Sequence, residues 1–236
     1  MHGLIVHAHP EPQSFNGALT RAAVEEFLAG GHTVEVSDLY AEGFNPVAGR
    51  GDFLSVADAD VFHYQNEQSH AARGGGFSAE LQREQDRVRR ADVLILQFPL
   101  WWGGPPAILK GWFDRVLAYG FAYVDGRRFD TGAFRGKHAL MCVTTGGTVE
   151  RFTPEGTYGE IETVLRPVRR LVLDYMGFKT QTPFVSYAAP RVEATVRELY
   201  LRQWRDQVRA TLVTAAAEPR DKAMALDTDR DWRSRG

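Results

Sequence analysis

The sequence predicts an α/β protein: a doubly wound five-stranded parallel sheet in the order 2-1-3-4-5, with helices on both faces. Three observations point there. Short apolar runs alternate with amphipathic segments of helical period along most of the chain, as in consecutive βαβ units. The runs at 92–98 and 138–145 are apolar almost throughout, as strands covered on both faces are. The first of these runs ends in a loop crowded with Trp, Gly and Pro, and open α/β sheets bind ligands at the carboxyl ends of their strands.

The elements follow in order. Residues 3–8 (GLIVHA) read as a buried first strand. Residues 16–28 carry helical spacing through Leu19, Ala23 and Phe27, and Gly30 and Gly31 stop the helix. Residues 32–37 alternate through Val34 and Val36 as a second strand. Residues 39–76 are irregular with one short helix, a length that is uncommon for a mere connection. Residues 78–90 read as a helix with Ser78 as N-cap, and 92–98 as the third strand. In the helix at 106–117, Ile108, Leu109, Trp112, Phe113, Val116 and Leu117 share one face, with Lys110 and Asp114 paired at i,i+4 on the other. Residues 138–145 make a fourth strand. Thr157 to Glu160 have the form of a capping box, opening a helix with Ile161, Val164, Leu165, Val168, Leu171 and Val172 inward and Gly177 at its end. Residues 178–187 give the fifth strand and 192–212 the last helix. One domain over 1–217 is expected, followed by a charge-rich tail at 218–236 that is disordered or lies on a neighbouring subunit.

Bulk composition bounds the function. The 236 residues suit one domain, and 44% hydrophobic content supports a core. A net charge of −2 gives no electrostatic case for nucleic acid. No run is long and apolar enough for an integral membrane segment, and Met1 leads almost directly into a strand with no room for a signal peptide, so a cytoplasmic protein is expected. The one cysteine, Cys142, reads as a small core residue. His7 and His9 have H-x-H spacing without a third ligand nearby, and no metal is expected.

Three loops, after strands 1, 3 and 4, open on one edge of such a sheet. In the first (9–16), Ser14 and Asn16 can cap the helix, whose free N–H groups could hold a phosphate; taken alone, this loop reads first as an ordinary capped turn, because capping residues are common at any helix start. In the second (99–105), Gly103 and Gly104 let backbone approach a flat ligand, and Trp101 and Trp102 could stack on it or enter the core. In the third, Thr144, Thr145, Gly146 and Gly147 can present N–H groups to an anion or to carbonyl oxygens, or form a plain turn. Neither GxGxxG nor GxxxxGK[ST] is present, which argues against a dinucleotide-type Rossmann site and an NTPase.

Ser14, Phe15 and Asn16, the run FPLWWGGPPAILKGWFDR (98–115), residues 120–123 (GFAY) and the TTGG turn at 144–147 together resemble the flavodoxin-like NAD(P)H:quinone oxidoreductase family, DT-diaphorase and its bacterial relatives. The likeness runs in order from the first strand to about Trp204.

The resemblance implies a homodimer that binds FAD and reduces quinones by two electrons, in a ping-pong exchange through flavin N5 with NADH or NADPH as donor. It implies that His9, Phe15 and Asn16 hold the FAD phosphates and nearby groups, that Leu100, Trp101, Trp102 and Gly103 line the isoalloxazine, and that Thr144, Thr145, Gly146 and Gly147 meet its pyrimidine side. Arg197 matches a position near the adenosine end. Ala122, Tyr123 and Val124 would face the substrate, from the other subunit. Reduced flavin carries negative charge near N1 and O2, so Gly146 and Gly147 N–H groups are candidate stabilisers.

The chain departs from its relatives where better-known members place a tyrosine and then a histidine after the turn. Here these are Phe152 and Tyr158. Phe152 cannot donate. A phenol donates a hydrogen bond but does not cycle protons near neutral pH as an imidazole does, so Tyr158 is expected as an electrostatic donor. His63 or Gln65 falls near a position used for FAD. The main rival is a flavin-binding ancillary subunit of a potassium-efflux system. A one-electron flavodoxin-type carrier, usually smaller and strongly acidic, and an FMN-dependent azoreductase of similar fold are the others.

Overall fold

β1 (His2–His7), β3 (Val93–Pro99) and β4 (His138–Thr144) alternate their side chains between two apolar layers, and this sets the whole architecture. Leu4, Val6, Leu94, Leu96, Phe98, Met141 and Val143 enter one core. Ile5, Val93, Ile95, Leu140 and Cys142 enter the other. Period-two alternation in strands covered on both sides is why these runs look uniformly apolar in sequence.

The computed structural model describes residues 1–218. All named strands pair in parallel, in the order β2-β1-β3-β4-β5, with β2 at Thr33–Asp38. The predicted order is therefore present, with one correction: the fifth strand is two pieces. β5 (Lys179–Thr180) and β6 (Phe184–Ser186) both pair with β4. Pro183 lies between them and has no N–H to give the ladder.

α1 (Phe15–Ala29) and α6 (Ala194–Ala217) cover one face, where the Trp204 indole donates to the Leu19 carbonyl at 2.9 Å. α2 (Tyr64–Gly74), α3 (Ala79–Arg90), α4 (Ala107–Val116) and α5 (Ile161–Val168) contribute to the other core. Ser14 caps α1 as expected, accepting from Gly17 N–H at 3.1 Å. Ser78 sits at the N-cap of α3, but its side chain makes no cap bond.

Two further readings are corrected at α5. Its N-cap is Glu160 with no side-chain cap, so the capping box over Thr157 to Glu160 does not form. The helix continues into a π-turn, Arg169–Asp174. That wider turn inserts a residue into the helical count, so Leu173 and Met176 become buried while Leu171 is 54% exposed.

The long connection is tied down rather than loose. Arg115, on α4, donates to Asp52 at 3.0 and 2.6 Å and to Glu80 at 2.6 Å, and also bonds the Asn45 carbonyl. Asp52 also accepts from the Tyr64 hydroxyl at 2.6 Å. Asp52 and Arg115 are both buried. Gly111 lets the connection touch α4, since a Cβ there would lie 2.2 Å from the Pro46 carbonyl oxygen. The charge-rich tail, apart from Glu218, lies outside the described residues.

Candidate active site

Because β1, β3 and β4 are parallel and in register, their carboxyl ends bring the three loops to one edge; Gln97 pairs with His7 on one side and with Cys142 on the other. A chain of side chains then fastens the loops together. The Gln97 amide donates to Asn16 Oδ1 at 2.9 Å, and Asn16 Nδ2 donates to Thr144 Oγ1 at 2.9 Å. All three residues are buried. Gln97 belongs to none of the three loop motifs, and its one signal in the sequence is a lone amide inside the apolar run VLILQF.

In the first loop, Ser14 caps α1, and the N–H groups of Phe15 and Asn16 meet no acceptor among the described residues. His9 accepts from Glu11 N–H at 3.0 Å and lies 6.2 Å from Trp101, ring centre to ring centre, linking loops one and two. Phe15 packs towards Tyr200 of α6 at 6.5 Å. Behind them, His7 is buried against Thr20 Oγ1 at 2.8 Å, and burial holds its pKa below the ordinary histidine value.

The second loop is a tight turn closed by Trp101 N–H to Gly104 O at 2.9 Å and Gly104 N–H to Trp101 O at 3.0 Å. Its two central residues, Trp102 and Gly103, have φ of 50° and 75°. That pair of positive values is the pattern of a type I′ turn, easy for glycine and rare for a bulky residue. Trp102 is fully exposed and Trp101 43% exposed, so neither indole joins the core. Leu100 N–H bonds the Thr144 carbonyl at 2.8 Å, which sets this loop beside the third.

The third loop shows the most organised chemistry. Ala189 N–H bonds the Thr145 carbonyl at 3.1 Å, and an Arg191 Nη1–H bonds the Gly146 carbonyl. The Gly147 carbonyl accepts from Ala188 N–H and from Thr145 Oγ1, each at 2.8 Å. Three successive carbonyls are thus satisfied, largely by residues 188–191. The peptides are trans, so each N–H points opposite its carbonyl. The Gly146 and Gly147 N–H groups meet no acceptor among the described residues. The turn therefore presents donors only. A Cβ on Gly146 would meet little besides Arg191 at 3.8 Å, whereas one on Gly147 would fall 2.9 Å from Phe152 and 3.0 Å from Tyr158.

Tyr158 is half exposed and packs at a tilt against Phe152, with ring centres 5.1 Å apart. Its hydroxyl accepts from Arg151 at 3.2 Å, leaving its own proton free to donate.

The remaining predicted residues belong to other elements. Ala122 and Val124 are buried. Tyr123 lines a cavity of ≈ 660 Å³ walled by Tyr64, Gln68, Phe113, Leu117 and Tyr175, with no wall residue from the three loops. Burial and neighbouring Tyr175 raise the Tyr123 pKa. Gln65 lines the same cavity, while His63 caps α2 by accepting from Asn66 N–H at 3.3 Å. Arg197, in the first turns of α6, bonds the Val192 carbonyl.

The edge offers what a flavin nucleotide needs: free N–H groups at a helix start for phosphate, a glycine turn with donors and no competing acceptors among the described residues for ring oxygens, and two indoles for a flat face. The residues fit the group.

A parallel sheet in the order 2-1-3-4-5 with its ligand edge at the carboxyl ends defines a flavodoxin-like protein, and residues 1–210 match the family profile described as Flavodoxin-like fold. The chain is 41% identical over 208 residues to mouse ribosyldihydronicotinamide dehydrogenase (quinone), covering 88% of this chain and 90% of that protein. It is 39% identical over 206 residues to rat NAD(P)H dehydrogenase (quinone) 1, covering 87% and 75%. A structure from Klebsiella pneumoniae described as a proposed quinone reductase superposes with a TM-score of 0.86 at 36% identity, covering 89% of this chain and 85% of that one. The chain belongs to the flavodoxin-like NAD(P)H:quinone oxidoreductase family.

Proposed function

We propose that the protein is an NAD(P)H dehydrogenase (quinone) that uses FAD, moving two electrons from a dihydronicotinamide to a quinone in a ping-pong exchange. The observation that carries this reading is the donor-only turn at Gly146 and Gly147, set beside the exposed tryptophan turn on one sheet edge. The names of the mouse and rat relatives support the reaction class. They also name two donor types, NAD(P)H and ribosyldihydronicotinamide, so both belong in any assay.

When bound, FAD would accept a hydride from the donor and pass it to the acceptor. The chain's own residues do the rest. Phe15 and Asn16 N–H groups at the start of α1 hold the phosphates, with His9 beside them. Leu100, Trp101, Trp102 and Gly103 line the ring and exclude water from one side of it. Gly146 and Gly147 N–H groups meet the pyrimidine edge, where preplaced donors stabilise negative charge as it develops; Thr144 and Thr145 hold that turn in place. Tyr158 adds a hydroxyl donor. Arg197 takes the adenosine end. In the proposed homodimer, Ala122, Tyr123 and Val124 form the substrate wall for the partner's site.

The test is rapid mixing of FAD-loaded protein with NADH, NADPH or ribosyldihydronicotinamide, followed by a quinone chase. Fast bleaching of flavin absorbance and full reoxidation by quinone are expected. Tight flavin binding with negligible reduction by every donor would overturn the enzymatic reading in favour of a flavin-binding ancillary subunit.

A further inference from the structure

We propose that Arg191 is a positioning residue that tunes the ligand edge through a single peptide unit, the one joining Gly146 to Gly147. The inference rests on the reading of this turn as the flavin's donor edge.

The Arg191 guanidinium bonds the Gly146 carbonyl. The N–H of that same trans peptide belongs to Gly147 and points the opposite way, with no acceptor among the described residues. Two consequences follow from elementary chemistry. A charge-assisted donor on a carbonyl polarises the amide and strengthens its N–H as a donor, the cooperative effect of hydrogen bonds in series. The bond also fixes which way the peptide plane faces. Between two glycines the plane has few steric reasons to hold one orientation, and a reversed plane would offer the ligand a carbonyl in place of a donor.

The neighbouring carbonyls are held differently. Thr145 O is bonded by the Ala189 N–H, and Gly147 O by the Ala188 N–H and the Thr145 hydroxyl, all neutral donors. Only the central peptide is held by a cation. Arg191 itself is exposed and belongs to neither core, so its side chain can be changed without disturbing apolar packing. A donor strengthened in this way discriminates by the charge on its acceptor. It favours the anionic two-electron-reduced flavin over the neutral oxidised form.

The experiment compares wild type, Arg191→Met and Arg191→Lys as purified holoproteins. The dissociation constant for oxidised FAD is read from flavin fluorescence. The midpoint potential is read by photoreduction against a reference dye, without any nicotinamide. We expect Arg191→Met to bind oxidised FAD nearly as wild type does, and to bind the reduced form about tenfold more weakly, the loss of one charge-assisted contact. That ratio corresponds to a fall of about 30 mV in a two-electron potential. Arg191→Lys keeps the cation and should restore part of the shift.

A merely structural role would lower the melting temperature and weaken both redox forms equally, and this result overturns the proposal. So does an unchanged potential in Arg191→Met. If wild type is reduced by NAD(P)H while the potential ignores Arg191, only this inference falls. If wild type binds no flavin at all, the functional reading falls with it.

Discussion

The Asn16 side chain donates to the Thr144 hydroxyl at 2.9 Å across 128 residues of sequence, and with Gln97 behind it this contact joins the start of α1 to the ends of β3 and β4. Removing it should unfasten the loops from one another. Asn16→Leu leaves a buried Gln97 amide and a buried Thr144 hydroxyl without their partner, a loss of about 1–3 kcal/mol in stability. Flavin affinity should fall with it. Denaturant unfolding and a flavin titration on the same variant check both; stability within error of wild type would show that the contact is not a fastening.

The two glycines of the third loop should respond oppositely to alanine. Gly146→Ala has open space for its methyl group and should leave the melting temperature unchanged or slightly higher, while filling part of the crevice and weakening flavin binding. Gly147→Ala must displace the Phe152 and Tyr158 rings and should destabilise the fold. Thermal melts rank them directly, and equal losses would contradict the geometry.

Tyr158→Phe should slow flavin reduction by a nicotinamide donor severalfold without a large change in stability, since the ring is half exposed and its packing on Phe152 survives. Single-turnover bleaching measures this. An unchanged hydride-transfer rate would remove Tyr158 from the donor set.

His7 and His138 give the stability a pH dependence. Burial holds both pKa values below the ordinary 6.5, for His138 against an opposing pull from Glu218. Both are neutral in folded and unfolded chains well above 6.5. As pH falls through that value the unfolded chain takes up protons first, so stability is lost until the lowered folded values are reached. The melting temperature should therefore fall between about pH 7 and about pH 5, and His7→Gln should flatten the slope. A melting temperature that rose over this range would contradict the assigned burial.

Asp52 and Arg115 form a buried pair that anchors the long connection. Asp52→Ala leaves the guanidinium with Glu80 and the Asn45 carbonyl and takes the acceptor from the Tyr64 hydroxyl, and should cost about 1–3 kcal/mol. A double-mutant cycle by chemical denaturation resolves the coupling energy.

How legible each part was depends on whether its cause is local. β1, β3, β4 and the amphipathic α4 could be read because their burial pattern is written in consecutive residues. The three loops are legible from composition: capping Ser14 and Asn16 in the first, Trp and Gly in the second, Thr and Gly in the third. What escaped was set by distant partners. The break between β5 and β6 hangs on one proline within a plausible strand. The π-turn that faces Leu171 outward is a change of helical count that apolar spacing does not announce. The bracing of the third loop comes from 188–191, a stretch with no motif of its own, and Arg191 is visible as functional only once its guanidinium is seen on the Gly146 carbonyl. Ala122, Tyr123 and Val124 rest on likeness alone, and Tyr123 lines a cavity that none of the three loops walls.

Trp102 stands in open solvent on a rigid turn, while Trp112 and Trp204 are sealed in the two cores. An indole so placed emits as though it were free in water, and any flat aromatic ligand settling against it would take that emission away. The protein thus carries its own optical gauge of occupancy at the sheet edge, one that needs no dye or label to follow a ligand arriving or leaving.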